Sequence, residues 1–138
     1  MKRSFIYFFA VTLFIAVSTI NSFAIDTLGS DQKLWKNNKL ISDNGRYTLV
    51  LNDDGNLVVY KGHNKPLWVS NTAGKDAKYA KMQPDGNFVI YTYKNKVLWH
   101  TNTHGNKGAY LVMQNDGNVV IYSKSGKAIW NSSTMEKN

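Results

Sequence analysis

Asn56, Asn87 and Asn118 are separated by an identical step of 31 residues, and the same step links Asp54, Asp85 and Asp116. It also links Val58, Val89 and Val120; Tyr60, Tyr91 and Tyr122; and Trp68, Trp99 and Trp130. The connections keep the step too: Lys65, Lys96 and Lys127 each stand three residues before a repeat tryptophan, with Leu67, Leu98 or Ile129 immediately before it. So many coincident registers describe a tandem of three equivalent units. In such arrays each unit is too small to bury its own apolar face and must bury it against its neighbours.

Within a unit the pattern has period two. The stretch Gln83-Pro84-Asp85-Gly86-Asn87-Phe88-Val89-Ile90-Tyr91 alternates, a turn-like Lys94-Asn95-Lys96 follows, and a second short run ends at Trp99. Alternation followed by a turn reads as strand, hairpin, strand. Tyr79 and Tyr110, one step apart, mark an earlier short segment in the second and third units, and Ala73-Gly74 and His104-Gly105 punctuate between units. Each unit then holds three or four short strands, and no helical periodicity appears outside the N-terminal leader. The prediction is an all-β fold, a threefold β-prism of three small antiparallel sheets with the repeat tryptophans inward. A conventional sandwich would not require a strict threefold period.

At 138 residues the chain is the size of one domain. Lys2 and Arg3, an apolar run from Phe5 to Val17 and the small-residue site Ser22-Phe23-Ala24 have the layout of a secretory signal peptide over 1–24. The run is shorter than the ~20 residues a spanning helix needs, so the mature domain over 25–138 is expected to be secreted, without a membrane span. Cysteine is absent, which excludes thiolate chemistry, cysteine metal sites and any disulfide. The net charge of +8 falls when Lys2 and Arg3 leave, and the remaining lysines are scattered along the chain, so the charge names no specific nucleic-acid partner.

On a strand, residues two apart share a face, so Gln83, Asp85, Asn87, Val89 and Tyr91 are expected to line one exposed side while Phe88 and Ile90 point to the other. A monosaccharide presents hydroxyls that both donate and accept, together with a patch of C–H surface. Asp85 can only accept, Asn87, Gln83 and the Tyr91 hydroxyl can do either, and Val89 offers an apolar contact. A merely solvated strand would tolerate any polar residue. Here Asp, Asn, Val and Tyr recur at fixed offsets in all three units.

These residues resemble the Gln-x-Asp-x-Asn-x-Val-x-Tyr signature of the bulb-type (monocot, snowdrop-like) mannose-binding lectins, and the resemblance covers essentially the whole mature chain. Gln83, Asp85, Asn87, Val89 and Tyr91 match it in full, as do Gln114, Asp116, Asn118, Val120 and Tyr122. The first copy has Asn52 in place of glutamine, with Asp54, Asn56, Val58 and Tyr60 intact. The resemblance implies a type II β-prism that binds mannose-containing glycans or glycoproteins with no cofactor and no metal. It implies that Asp and Asn take the axial 2-hydroxyl of mannose, Gln the 3-hydroxyl and Tyr the 4-hydroxyl, with Val against the ring. Asn52, one methylene shorter than Gln, is then expected to reach the sugar less well. The resemblance also admits a homodimer, as in plant relatives that exchange C-terminal strands. Trp35 lies outside the 31-residue step, near the place of a closing N-terminal strand, and reads as a core or interface aromatic.

Other classes fit less well. His63, His100 and His104 are accompanied by no nucleophile motif or metal-ligand spacing and read as turn or surface histidines, so an enzyme is not expected. Asp53-Asp54-Gly55-Asn56 hints at a calcium loop, but no glutamate stands downstream at the required position. A lectin-like bacteriocin or toxin would use the same sites for cell recognition. An interaction module with relic sugar sites would show no sugar binding at all.

Overall fold

The computed structural model of the protein describes residues 25–137. The expected leader over 1–24 lies outside the described residues. Three short strands come first: β1 (Thr27–Leu28), β2 (Lys33–Trp35) and β3 (Lys39–Ile41). Each repeat then supplies three more. They are β4 (Tyr47–Leu51), β5 (Leu57–Lys61) and β6 (Lys65–Val69); β7 (Ala77–Met82), β8 (Phe88–Thr92) and β9 (Val97–His100); and β10 (Tyr110–Met113), β11 (Val119–Tyr122) and β12 (Ala128–Asn131). The strands form three four-stranded antiparallel sheets, ordered β3-β4-β5-β6, β2-β7-β8-β9 and β1-β10-β11-β12. The fold is the expected all-β prism. Its N-terminal stretch deals one closing strand to each sheet in turn.

The inner faces of the three sheets share a single core. Alternation on β4 buries Tyr47, Leu49 and Leu51, and the equivalent strands bury Ala80 with Met82 and Leu111 with Met113. The central strands add Leu57, Val59, Phe88, Ile90, Val119 and Ile121, all essentially inaccessible. Each such side chain contributes ~1.5–3 kcal/mol on burial. With no cysteine in the chain, this apolar burial carries the stability.

At the axis the repeat tryptophans meet as a triangle. Trp68 and Trp99 are 5.4 Å apart between ring centroids, Trp99 and Trp130 5.9 Å, and Trp68 and Trp130 6.1 Å, all edge to face. Such geometry sets the positive edge of one ring against the negative face of another and adds ~0.5–1.5 kcal/mol per pair beyond the area buried. A bulge in each sheet explains why an aliphatic residue always precedes the tryptophan. Ile90 pairs with Trp99 but Tyr91 pairs with Val97, so Leu98 is skipped; Leu67 and Ile129 are skipped in the same way. A bulge breaks the strict up-down alternation. Leu98 and Trp99, although adjacent, can therefore both pack against the core, as do Leu67 with Trp68 and Ile129 with Trp130.

The ring closes through the connections between units. The carbonyl of Asp54 accepts from Gly74 N at 2.7 Å, and that of Asp85 from Asn106 N at 3.0 Å. With no fourth repeat to follow, the C-terminal tail takes the same part: Glu136 N donates to the Asp116 carbonyl at 2.8 Å. The Glu136 carboxylate accepts from the Tyr47 hydroxyl at 2.8 Å and from Lys61 Nζ at 2.5 Å, tying the tail to the first repeat. The hydrogen bonds from Lys61 and then Tyr47 hold the Glu136 carboxyl below the usual glutamate range.

A group with a depressed pKa in the folded chain adds stability that is present above its unfolded value and is lost as pH falls through its folded value. Wild type is therefore expected to be more resistant to urea than Glu136→Gln near neutral pH, with the difference shrinking as pH falls below the ordinary glutamate range and through the depressed folded value. Equal midpoints for the two proteins at neutral pH would refute this role of the tail.

Candidate functional site

Each signature begins in a turn. Asn52, Gln83 and Gln114 leave the preceding strand, and their N–H groups donate to the carbonyls of Asn56, Asn87 and Asn118 at 2.9 Å. Inside the loop, Gly55, Gly86 and Gly117 donate back to the first residue at 3.0 to 3.1 Å. Gly86 has φ +93°, and a Cβ there would meet the Asn106 carbonyl oxygen at 2.4 Å; a Cβ on Gly117 would meet Tyr47 at 2.7 Å. Both the backbone conformation and the close approach of the next unit require glycine at these positions. The expectation that the whole signature lies on one strand is thus corrected. Gln83, Asp85 and Asn87 belong to the loop between β7 and β8, and only Val89 and Tyr91 stand on β8.

The backbone around each loop engages the signature aspartate and asparagine through Oδ1. Asp54, Asp85 and Asp116 each accept through Oδ1 from the N–H two residues on, at 2.8 to 2.9 Å. Asn56, Asn87 and Asn118 each accept through Oδ1 from the N–H of Thr72, Thr103 or Thr134 at 3.2 Å. Among the described residues no backbone group bonds the aspartate Oδ2 or the asparagine Nδ2, which meet side chains alone: Asp85 Oδ2 faces Gln83, Asn87 Nδ2 faces His100 and Asn118 Nδ2 faces Asn131. The Gln83 amide meets the Tyr91 hydroxyl. With its oxygen accepting there, its nitrogen donates to Asp85 Oδ1 at 3.1 Å and Oδ2 at 3.3 Å. Gln114 Nε2 donates to the Tyr122 hydroxyl, and Asn52 Nδ2 donates to the Tyr60 hydroxyl at 2.9 Å despite its shorter side chain.

The valines are a second correction. Val58, Val89 and Val120 are not exposed contacts but are 2 to 4% accessible, so they form the floor beneath the polar groups. Their neighbours across the strands are Val50 and Val69, Lys81 and His100, and Val112 and Asn131.

Behind each loop lies a network that the repeat pattern held but the motif did not name. Ser70, Thr101 and Ser132 stand one step apart, as do Thr72, Thr103 and Thr134. Each first hydroxyl accepts from the N–H that opens the central strand, at Leu57, Phe88 or Val119, at 2.9 to 3.1 Å. It also donates to the signature asparagine oxygen at 3.2 to 3.4 Å. The paired hydroxyls lie 2.6 to 2.7 Å apart, and each threonine donates at 2.6 Å to the carbonyl of Gly55, Gly86 or Gly117. Among the described residues no buried side-chain nitrogen or oxygen lacks a partner.

The three sites differ at one flank. The last residue of β9, His100, places Nδ1 3.4 Å from Asn87 Nδ2 while accepting from Asn102 N at 3.1 Å. The equivalent Asn131 Oδ1 is 3.5 Å from Asn118 Nδ2, and the first site has the apolar Val69. His63 and His104 lie exposed in turns. Among the described residues no group of three or more His, Asp or Glu gathers as a metal site, and no helix is long and apolar enough to cross a membrane. Of the two readings of Trp35, core or interface aromatic, the core one is excluded: the residue is 44% exposed at the outer face of β2 and is no part of the core.

No protein-family model matches the chain. Among curated proteins, plumieribetin, a B-type lectin of Scorpaena plumieri, is 41% identical over 56 residues. That match takes in 41% of this chain and 48% of the relative, so the chain spans about half the length of it. Among solved structures the chain is similar to a Marasmius oreades lectin, with 39% identity, 80% of this chain and 92% of that one covered, and a TM-score of 0.75. A monomeric monocot mannose-binding lectin from Gastrodia elata has 38% identity, 80% and 99% coverage and a TM-score of 0.74. The mannose-specific agglutinin of snowdrop, Galanthus nivalis, solved with methyl-α-D-mannoside, has 34% identity, 81% and 99% coverage and a TM-score of 0.66.

The hydroxyl network behind the loops makes a direct prediction. Thr103→Val keeps the shape but strips the Gly86 carbonyl and the Thr101 hydroxyl of a buried partner, which costs ~1–3 kcal/mol. A lower urea midpoint is expected for Thr103→Val, with Thr103→Ser close to wild type. Equal midpoints for Thr103→Val and wild type would show that the network does not hold the loop.

Proposed function

The chain belongs to the bulb-type mannose-binding lectins, and from that premise we propose that it is a secreted, non-enzymatic protein that binds mannose-containing glycans through its three signature loops. The observation that carries the reading is the divided use of each signature residue. Oδ1 of every signature aspartate and asparagine is spent on a backbone N–H, while the aspartate Oδ2 and the asparagine Nδ2 bond no backbone group among the described residues and can exchange their side-chain neighbours for a ligand. A sugar hydroxyl, able to donate to the first and accept from the second, completes both.

The axial 2-hydroxyl of mannose meets the aspartate and asparagine, the glutamine takes the 3-hydroxyl, and the tyrosine takes the 4-hydroxyl. The buried valine closes the floor under the ring carbons. Glucose presents its 2-hydroxyl equatorially and would leave those groups poorly paired, at ~1–3 kcal/mol. Asn52 is held to Tyr60 and carries a shorter amide than Gln83 or Gln114, which makes the first site the weakest of the three.

One site is not enough to hold a surface. A monosaccharide of about twelve heavy atoms at ~0.3 kcal/mol per atom gains ~4 kcal/mol, roughly millimolar affinity. Three sites carried by one rigid prism raise the apparent affinity for a branched glycan by ~10²–10⁴ without a new contact. High-mannose glycans displayed on cell surfaces or glycoproteins are the proposed partners. The N-terminal leader pattern is the support for secretion.

Calorimetry of the mature chain is expected to give a mannose affinity about ten times that for glucose or more, the ratio that ~1.4 kcal/mol produces. Equal affinities, or none, would refute the assignment. On a mannan-coated surface, Asn87→Ala and Asn118→Ala are each expected to accelerate dissociation, and the double variant to lose nearly all retention. Proportional loss of signal at an unchanged dissociation rate would refute the multivalent reading.

A further inference from the structure

The outer faces of the three sheets are not alike. In the second sheet, Tyr91 of the signature is followed across the strands by Tyr79 on β7 and Trp35 on β2, through the pairs Tyr79↔Tyr91 and Trp35↔Tyr79. The rings are in contact, with centroids 5.6 Å apart for Tyr79 and Tyr91 and 5.2 Å apart for Trp35 and Tyr79. The corresponding row in the first sheet reads Tyr60, Thr48 and Ile41. In the third, Tyr122 stacks on Tyr110 and no tryptophan follows. An aromatic track thus leads away from the second site alone, and the exposed Tyr93 lies beside it.

Lysines cover this track. Lys33 Nζ is 4.6 Å from the Tyr79 ring and 5.3 Å from Trp35; Lys78 Nζ is 5.7 to 5.9 Å from Trp35, Tyr79 and Tyr93; and Lys36 Nζ is 5.4 Å from Tyr93. Every lysine-over-ring contact among the described residues lies here. Elsewhere Lys61 pairs with Glu136, and on the same strand Lys81 pairs with Asp31. Lys33, Lys36 and Lys78 have no carboxylate at ion-pair distance among the described residues. Three ammonium groups with only ring faces as partners are an incompletely neutralised cluster, because a cation–π contact satisfies a charge far less than an anion does.

We propose that this face, formed by β2 and β7, is a subsite for an anionic sugar residue, phosphorylated or sulfated, linked to the mannose held in the second site. The proposal rests on the mannose reading of that site and extends it. A sugar ring leaving the Tyr91 end of the loop meets Tyr79 and Trp35, whose faces suit the C–H side of a pyranose. A neutral residue packing there would displace ammonium groups and offer them nothing in exchange. An anionic substituent pairs with them instead, so the charge selects which glycans gain from the aromatic track.

Calorimetry with methyl-α-mannoside, α-mannobiose, and mannobiose phosphorylated or sulfated on the second residue tests the proposal, with oligothymidylate as a control polyanion. In low salt both anionic disaccharides are expected to bind about tenfold tighter than the neutral one, and the advantage to fade at about 0.5 M salt as charge is screened. The relative size of the phosphate and sulfate advantages identifies which substituent the face prefers. Lys33→Ala/Lys78→Ala is expected to abolish the advantage while leaving methyl-α-mannoside affinity unchanged, and Trp35→Ala to weaken the disaccharides only. Equal binding of neutral and anionic disaccharides, with methyl-α-mannoside bound, overturns the subsite and leaves the mannose reading standing. Lysine-dependent binding of the anionic disaccharides without any binding of methyl-α-mannoside supports the subsite and overturns the mannose reading; no binding of any saccharide overturns both. Oligothymidylate binding as tightly as the anionic disaccharides would show a face that reads charge alone, and would also overturn the proposal.

Discussion

A sheet of four strands, each two to six residues long, has one apolar face and no means of covering it. That constraint organises the molecule. Three such faces cover one another only if they close around an axis, and the axis must then be filled by side chains that fit a threefold corner. Trp68, Trp99 and Trp130 do this because an indole can present its edge to one neighbour and its face to the other, so each ring satisfies two contacts at once. The bulge that skips Leu67, Leu98 and Ile129 serves the same closure by turning two consecutive residues toward the core.

The same closure shapes the loops at which sugar recognition is proposed. Each loop is gripped from behind by two hydroxyls and from the side by the connection to the next unit, whose N–H groups bond the aspartate carbonyls. A loop held this firmly loses little conformational freedom when a ligand arrives, which matters when a single monosaccharide contributes so few contacts. Stability and recognition therefore share atoms. Oδ1 of each signature aspartate and asparagine holds the loop, and the proposed sugar contacts fall to the other atom of the same side chains.

The 31-residue step made the number of units, the inward tryptophans and the triplets of signature residues legible in the chain before any coordinates. Alternation then misled. Gln83, Asp85 and Asn87 obey a period of two, yet they form a turn, because a short polar loop with glycine at a fixed place has the same periodicity as a half-exposed strand. The valines were read as exposed because strand logic has only two faces, whereas neighbouring strands and the loop bury both faces of β8 at Val89. The sequence leaves Trp35 as either a core or an interface aromatic, and its register with Tyr79 and Tyr91 is needed to decide for the outer face. Ser70, Thr101 and Ser132 obeyed the repeat and could have been found by asking what else recurs two residues after each tryptophan. His100 could not be found that way. It matters because it differs from Val69 and Asn131, and a search for identity passes over the positions where repeats have diverged.

The distribution of the first three strands bears on how the chain reaches this state. β3 pairs with β4, its neighbour in sequence, but β2 waits for β7 and β1 for β10 in the last repeat. A solenoid can add its units one after another from a finished end. This prism cannot, because the earliest residues are the closing pieces of the latest sheets. Until β10 has left the ribosome the nascent chain carries apolar sheet faces without their lid and strand edges without their partners, the condition in which β proteins are most exposed to aggregation. Residues 25–41 thus act as a latch whose catch is made last. The order of synthesis, and not only the final symmetry, becomes something this sequence has to survive.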